Sequence, residues 1–286
     1  MMITRREFGS LALAPLAVAL DDRVNGVRVG VQTYSFRDLP RPEGGGLVDG
    51  AIAAMNTCGL ADCELWAEGV EPKLSREALR RWRVETPIGH FRDVGAKFKN
   101  AGITIYAYNY SPGASYTDEE IDRGFDMAKA LGAQIITSST TIAVAKRIVP
   151  FAEKHMMVVA LHGHSNIKDP NQFATPQSFA AAMQMSKYFK INLDIGHFTA
   201  AGFEAVPFIR EHHGDITNLH IKDMKRNVPD SYVPWGTGDA PIRDVLLMLK
   251  NERWPIRAHI EYEYAGKGTP IDETKRCFDY VKTALA

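Results

Sequence analysis

Eight apolar runs of strand length, each followed by a longer amphipathic segment, pace the chain from Val27 to its end. They are "VRVGVQTY" (27–34), "CELWA" (63–67), "ITIYAYN" (103–109), "AQIITSS" (133–139), "MMVVALH" (156–162), "KINLDI" (190–195), "ITNLHIK" (216–222) and "IRAHIEY" (256–262). Such alternation calls for parallel strands joined by crossover helices. The segment "TDEEIDRGFDMAKALG" shows the helical pattern, with Thr117 as cap, an acidic first turn and a stop at Gly132. A closed (β/α)8 barrel needs roughly 250 residues, which the stretch 27–286 supplies. An open doubly wound sheet competes, but no Gly-x-Gly-x-x-Gly follows the first strand. The expected fold class is therefore α/β, a single-domain (β/α)8 TIM barrel over 27–286.

Composition excludes some functions. The 286 residues carry 34 basic and 34 acidic side chains, so no basic field is available to hold a nucleic-acid backbone. Cys58, Cys63 and Cys277 make no disulfide framework; Cys58 and Cys63 pair at most with each other. The N-terminal "TRREFGSLALAPLAVAL" places Arg5 and Arg6 ahead of a short apolar run that ends in Ala17-Val18-Ala19. That pattern resembles a twin-arginine export signal over residues 1–19, which implies a periplasmic protein with no stable membrane insertion once the leader is removed.

Polar residues gather where the strands end. In "VVALHGHSN" (158–166) the strand period of two sends His162 and His164 to one side. Along the chain, the other expected strand ends carry Glu64, then Tyr108 and Asn109, then Asp194 and His197, then His220 and Lys222, and finally Glu261 and Glu263. In a barrel, active-site groups project from that edge. His162, Asp194, His220 and Glu261 come from four consecutive strands and would converge on the axis. Two imidazoles and two carboxylates suit Mn²⁺, Zn²⁺, Co²⁺, Fe²⁺ or Mg²⁺ rather than Ca²⁺. Each residue also has a plainer role: a lone strand histidine is more often a hydrogen-bonded core residue, Asp194 would cap the next helix, and Glu261 would pair with a nearby cation. Clustering favours the shared site, because four edge residues of this kind need a common partner.

At these residues the chain resembles the xylose isomerase-like sugar phosphate isomerase/epimerase family. The likeness rests on "VQTYSFRD", "LHGH", "LDIGH", "HIKD", "WGTGDAPIRDVLLMLK" and "IEYEY". The resemblance implies metal ligands at His162, Asp194, His220 and Glu261, with His197 and Lys222 at positions that contact substrate oxygens. Many family epimerases have a glutamate where His162 stands and use a glutamate pair as acid and base. That departure favours isomerisation or elimination over two-base epimerisation.

The expected chemistry is proton abstraction next to a carbonyl of a sugar or keto-sugar, with the ion as Lewis acid. His164, His197 and Glu263 are candidate bases, and Lys222 would hold a polarised oxygen. Glu64, Trp66, Tyr108, Asn109 and Trp235 are expected to contact the substrate. A 3-keto-glycoside cleaving enzyme and a noncatalytic carbohydrate-binding barrel are the alternatives. An abasic-site nuclease is disfavoured by the neutral charge and the leader. The partner is a small sugar or keto-sugar and no nucleic acid; a homo-oligomer is left open.

Overall fold

The computed structural model describes residues 22–286. Its strands are β1 (Arg23–Val24), β2 (Val27–Gln32), β3 (Asp62–Trp66), β4 (Thr104–Asn109), β5 (Ile135–Ser138), β6 (Val159–His162), β7 (Phe189–Asp194), β8 (Ile216–Ile221) and β9 (Arg257–Ile260). β2 to β9 pair in parallel in chain order, and β9 returns to β2 with Val29 opposite Ala258 and Val31 opposite Ile260. The sheet therefore closes into a single (β/α)8 barrel, as expected. β1 was not anticipated: it folds back antiparallel on β2, opposite Arg28 and Val27, through Asn25 and Gly26 at positive φ.

Alternation along the strands sorts the two faces. Val29, Val31, Cys63, Leu65, Leu161, Ile191, Leu193, Leu219 and Ile221 point outward into the main core beneath the helices. Phe91, Phe98 and Phe125, from the surrounding helices, are buried in the same layer. Burying each such ring stabilises the fold by about 1.5–3 kcal/mol. Helix Asp118–Leu131 starts and stops where its residues predict: Thr117 and Glu120 form a capping box, and Gly132 takes the left-handed conformation at the end.

The inner face departs from an ordinary barrel, which is filled with branched apolar side chains. Among the described residues, Tyr106, Ala107, Ile135 and Ala160 form a small apolar cluster there. Asp62, Glu64, Asn192, Asn218, Arg257 and His259 are buried and polar. The Arg257 guanidinium lies 3.6 Å from the Tyr106 ring centre, and Arg257 Nε donates to Asp62 Oδ2 at 3.0 Å. Cys58, Cys63 and Cys277 are all free and buried, so the Cys58–Cys63 pairing does not form. Among the described residues no helix is long and apolar enough to cross a membrane. The leader reading falls on residues outside the described ones.

A buried ion network outside the barrel makes a stability test. Glu120 is bound by Arg76 at 2.7 Å and Arg83 at 3.2 Å, and Arg83 also reaches Glu71 at 2.7 Å. Burial alone would raise the Glu120 carboxyl, but hydrogen bonds from Arg76, the Thr117 backbone and Arg83 outweigh it and hold it at about 2. A depressed carboxylate contributes stability above its unfolded pKa and loses it as pH falls through the folded one. Screening at the 41% exposed Arg76 leaves about 1–2 kcal/mol of this contribution. Urea titrations of the wild type should lose that increment between about pH 4.5 and 2. Glu120→Gln should lack it at neutral pH and show a flatter acid limb. Identical pH profiles would refute the linkage.

Candidate active site

Seven of the barrel strands meet at one carboxylate. Glu64, fully buried on β3, accepts hydrogen bonds from Gln32 Nε2 (2.7 Å), Asn109 Nδ2 (3.1 Å), Thr137 Oγ1 (2.6 Å) and Asn218 Nδ2 (2.8 Å). Asn192 Nδ2 approaches both its oxygens at 3.4 Å, His259 Nδ1 stands 3.3 Å away and His220 Nε2 only 2.8 Å away. Only the barrel interior brings these strands together. Burial would raise the Glu64 carboxyl, but His220 and His259 outweigh it and hold it ionised. Glu64 was expected to touch substrate; instead it lies beneath the site and orients His220. With Nε2–H directed at Glu64, the His220 ring presents Nδ1 to the cavity side, the arrangement that second-shell carboxylates impose on metal-ligating histidines.

Above Glu64 the four expected ligands converge. His162, Asp194 and His220 each offer a ligand atom, and these atoms lie within 4.8 Å of one another. Glu261 Oε2 lies 2.7 Å from His220 Nδ1. That approach is short in distance but misaligned for a hydrogen bond: His162 Nδ1, Asp194 Oδ2, His220 Nδ1 and Glu261 Oε2 are all buried without a hydrogen-bond partner. A buried polar atom without a hydrogen bond is costly; His162 Nδ1 has none, while Asp194 Oδ2 and Glu261 Oε2 are offset only by the Lys222 ammonium and, for Glu261, the His220 ring. Asp194 caps the next helix, its Oδ1 accepting from the His197 backbone N–H at 2.8 Å. Its Oδ2 remains for the centre. The donor set fits a divalent ion, and the His/Asp/His group can hold one.

Lys222 is no surface lysine. It is 3% exposed, with Nζ 3.0 Å from Asp194 Oδ2, 2.7 Å from Glu261 Oε2 and in contact with Glu263. Burial disfavours its charge, but Asp194, Glu261 and Glu263 outweigh that and keep it an ammonium. Burial would likewise raise Glu261, and the His220 and Lys222 charges hold it well below the carboxylate range. Burial and then Lys222 push His164 down to about 4, and the same two causes lower His197, so both rings are neutral at pH 7.

The cavity over these groups has a volume of about 250 Å³. Trp66, Asn109, His164, His197 and Glu263 line it, as expected for substrate contacts and catalysis. Two expected contacts lie elsewhere. Tyr108 faces outward, its hydroxyl on Met127 Sδ at 3.8 Å and its ring stacked on Tyr110. Trp235 lines a separate cavity of about 290 Å³ with Tyr264 and Tyr280. The reason is Asp223 of "HIKD", whose carboxylate accepts the backbone N–H groups of Gly236 (2.8 Å), Gly238 (2.9 Å) and Ala240 (3.2 Å). That clamp fixes the loop with Trp235 turned away. Gln32, Tyr34, Ser111, Ser139 and Tyr232 line the cavity and were missed. Tyr34 stood within the quoted "VQTYSFRD", but Tyr232 sits in a loop with no local signal.

With this geometry in place, one family model matches the chain. The chain belongs to the xylose isomerase-like TIM barrel family, whose model matches residues 52–283. A sugar phosphate isomerase/epimerase from Parabacteroides distasonis superposes with TM-score 0.62 at 16% identity, covering 89% of this chain and 95% of that one. A 3-keto-D-glucoside 4-epimerase from E. coli gives 0.64 at 11%, covering 90% and 99%. A D-allulose 3-epimerase from Methylomonas sp., in complex with D-allulose, gives 0.61 at 12%, covering 90% and 96%. Identities this low speak for the shared fold. Among curated proteins, none matches in sequence.

Proposed function

We propose that this protein is a divalent-metal-dependent enzyme that abstracts a proton next to the carbonyl of a sugar or keto-sugar, leading to isomerisation or β-elimination. The observation that supports this reading is the buried convergence of ligand atoms from His162, Asp194 and His220 within 4.8 Å of one another, with Glu261 beside them and Glu64 orienting His220 from beneath. Those four residues would hold Mn²⁺, Zn²⁺, Co²⁺ or Mg²⁺. A bound ion supplies Lewis-acid polarisation of the carbonyl and its neighbouring hydroxyl.

The chain's own groups do the rest. His164, neutral and half-buried at the cavity wall, takes the α-proton as the C–H bond breaks and its electrons move into the carbonyl. The Lys222 ammonium donates to the oxygen on which negative charge develops. Tyr34 and Trp66, edge-on with ring centres 5.0 Å apart, form an aromatic wall for the apolar face of a sugar. The proton on His164 then returns to the adjacent carbon while the α-hydroxyl proton passes by way of Lys222 to the former carbonyl oxygen, giving the isomer. In elimination the carbonyl re-forms and the β-substituent departs with its bonding pair, taking the proton from His164. His197, with Nδ1 3.4 Å from Ser165 Oγ, is a substrate contact on this reading rather than the base.

The test is a screen of ketohexoses and 3-keto-glycosides with chelator-stripped and ion-reloaded protein. Turnover should require reloading. Undiminished turnover in the stripped protein would refute metal dependence, and tight sugar binding with no turnover would support a noncatalytic barrel.

We also propose export through the leader, which places the enzyme in the periplasm with unphosphorylated substrates. Expressed in a bacterium with a twin-arginine pathway, the protein should accumulate outside the cytoplasm with its new N-terminus near Leu20. Replacing Arg5 and Arg6 with lysine should retain it inside. Retention of the unaltered, uncut chain would refute the reading.

A further inference from the structure

Three histidines of the cavity have no acidic partner. His220 and His259 are held by Glu64 and Asp62, and His155 by Asp122. His162, His164 and His197 face one another instead, with ring centres 4.8 Å (His162–His164), 5.0 Å (His164–His197) and 6.1 Å (His162–His197) apart. One nitrogen from each lies within 4.8 Å of the other two. His162 Nδ1 is buried without a hydrogen bond, and His197 Nδ1 reaches only the Ser165 hydroxyl at 3.4 Å.

The backbone holds these rings in place. Gly163, between the first two, packs so closely that a Cβ there would come within 2.7 Å of the Phe173 carbonyl and the Phe179 ring. The His164 N–H donates to Phe173 O at 2.9 Å, and the His197 N–H donates to Asp194 Oδ1 at 2.8 Å. The rings thus stand on fixed supports, with His162 Nδ1 lacking any hydrogen bond.

We infer that His162, His164 and His197 form a second cation position, distinct from the carboxylate-rich one, that selects late first-row ions such as Ni²⁺ and Cu²⁺. Imidazole ligands favour these ions and Zn²⁺, whereas carboxylates suit Mg²⁺ and Mn²⁺. The Lys222 ammonium lies against Asp194 and Glu261 and pairs with none of the three rings. His162 belongs to both sets. Bridging two ions would require its ring to lose both protons, so the positions are alternatives for a single ion. The identity of the ion then decides whether it sits on the carboxylates or against the cavity wall. This inference shares His162 with the proposed catalytic site but does not depend on that site's activity.

The experiment titrates Mn²⁺ alone and Ni²⁺ alone into the stripped full-length protein by calorimetry. His164→Ala should weaken Ni²⁺ by about 10–100-fold while Mn²⁺ stays unchanged, and Glu261→Gln should do the reverse. Cu²⁺ electron paramagnetic resonance should show coupling to three nitrogens in the wild type and two in His164→Ala. The inference is overturned if Ni²⁺ binding is absent, if His164→Ala leaves it unchanged, or if Glu261→Gln weakens both ions equally. Ni²⁺ binding without Mn²⁺ binding would uphold the three-imidazole position and count against the carboxylate-rich one.

Discussion

Glu261→Gln protein, loaded with Mn²⁺ and desalted, is expected to retain under about a tenth of the ion held by the wild type, and His220→Ala to retain as little. Wild type should hold close to one ion per chain. Glu261 Oε2 and His220 Nδ1 are two of the four converging ligand atoms, and each change removes one. The two variants should differ in stability. Glu261→Gln leaves Lys222 bound to Asp194 and Glu263, so its circular dichroism and melting should stay near wild type. His220→Ala takes one 2.8 Å partner from buried Glu64, which keeps its amide, hydroxyl and His259 partners, so the loss should cost about 1–3 kcal/mol. Glu64→Gln keeps the ligands but loses the anion that orients His220, and should weaken the ion about 10–100-fold. Elemental analysis with equilibrium dialysis measures all three. Undiminished occupancy in Glu261→Gln and His220→Ala would refute the ligand assignment.

The second large effect is on proton exchange. A turned-over keto-sugar incubated with the Mn²⁺-loaded enzyme in D₂O should gain deuterium at one carbon. His164→Gln should slow that exchange by about 10²–10⁴-fold, the usual worth of a general base. Mn²⁺ content should stay near normal, since His164 lies outside the carboxylate-rich set. His197→Gln should act mainly on KM, and a loss of exchange there as large as in His164→Gln would move the base to His197. Turnover with no solvent deuterium in substrate or product would point to a hydride shift. Clean epimerisation would mean that a residue other than His162 supplies the second base.

Much of this site follows from local pattern. The polar residues after β6, β7, β8 and β9 stood out because they interrupt apolar runs at one end, and the closed sheet carries that end to a single mouth. Period two also contained information that was not used. Tyr108 and Asn109 are adjacent on β4 and cannot share a face; Asn109 points to Glu64 and Tyr108 to Met127. The alternation in "DCELW", "INLD", "TNLH" and "RAHIE" likewise marks a polar inner face running down the barrel, where Asp62, Asn192, Asn218 and His259 lie.

Other features had no local signal. Glu64 meets His220 across 156 residues of sequence and Asn218 across 154. Lys222 is set among three carboxylates from β7 and the end of β9. Trp235 was turned from the cavity by backbone hydrogen bonds to Asp223, a contact made by a loop folding back on its own strand.

Period, capping and chain length determined that this protein is a (β/α)8 barrel and which residues crowd its mouth, because burial along a strand or helix repeats at short, local intervals. Tertiary structure alone decided which of those residues share a point and which support it from below. That outcome depends on register around the closed sheet, including shifts at Cys63/Glu64 and Ile191/Asn192. Distances between strands far apart in sequence are set by that register, and one residue of slip would exchange the inner and outer faces.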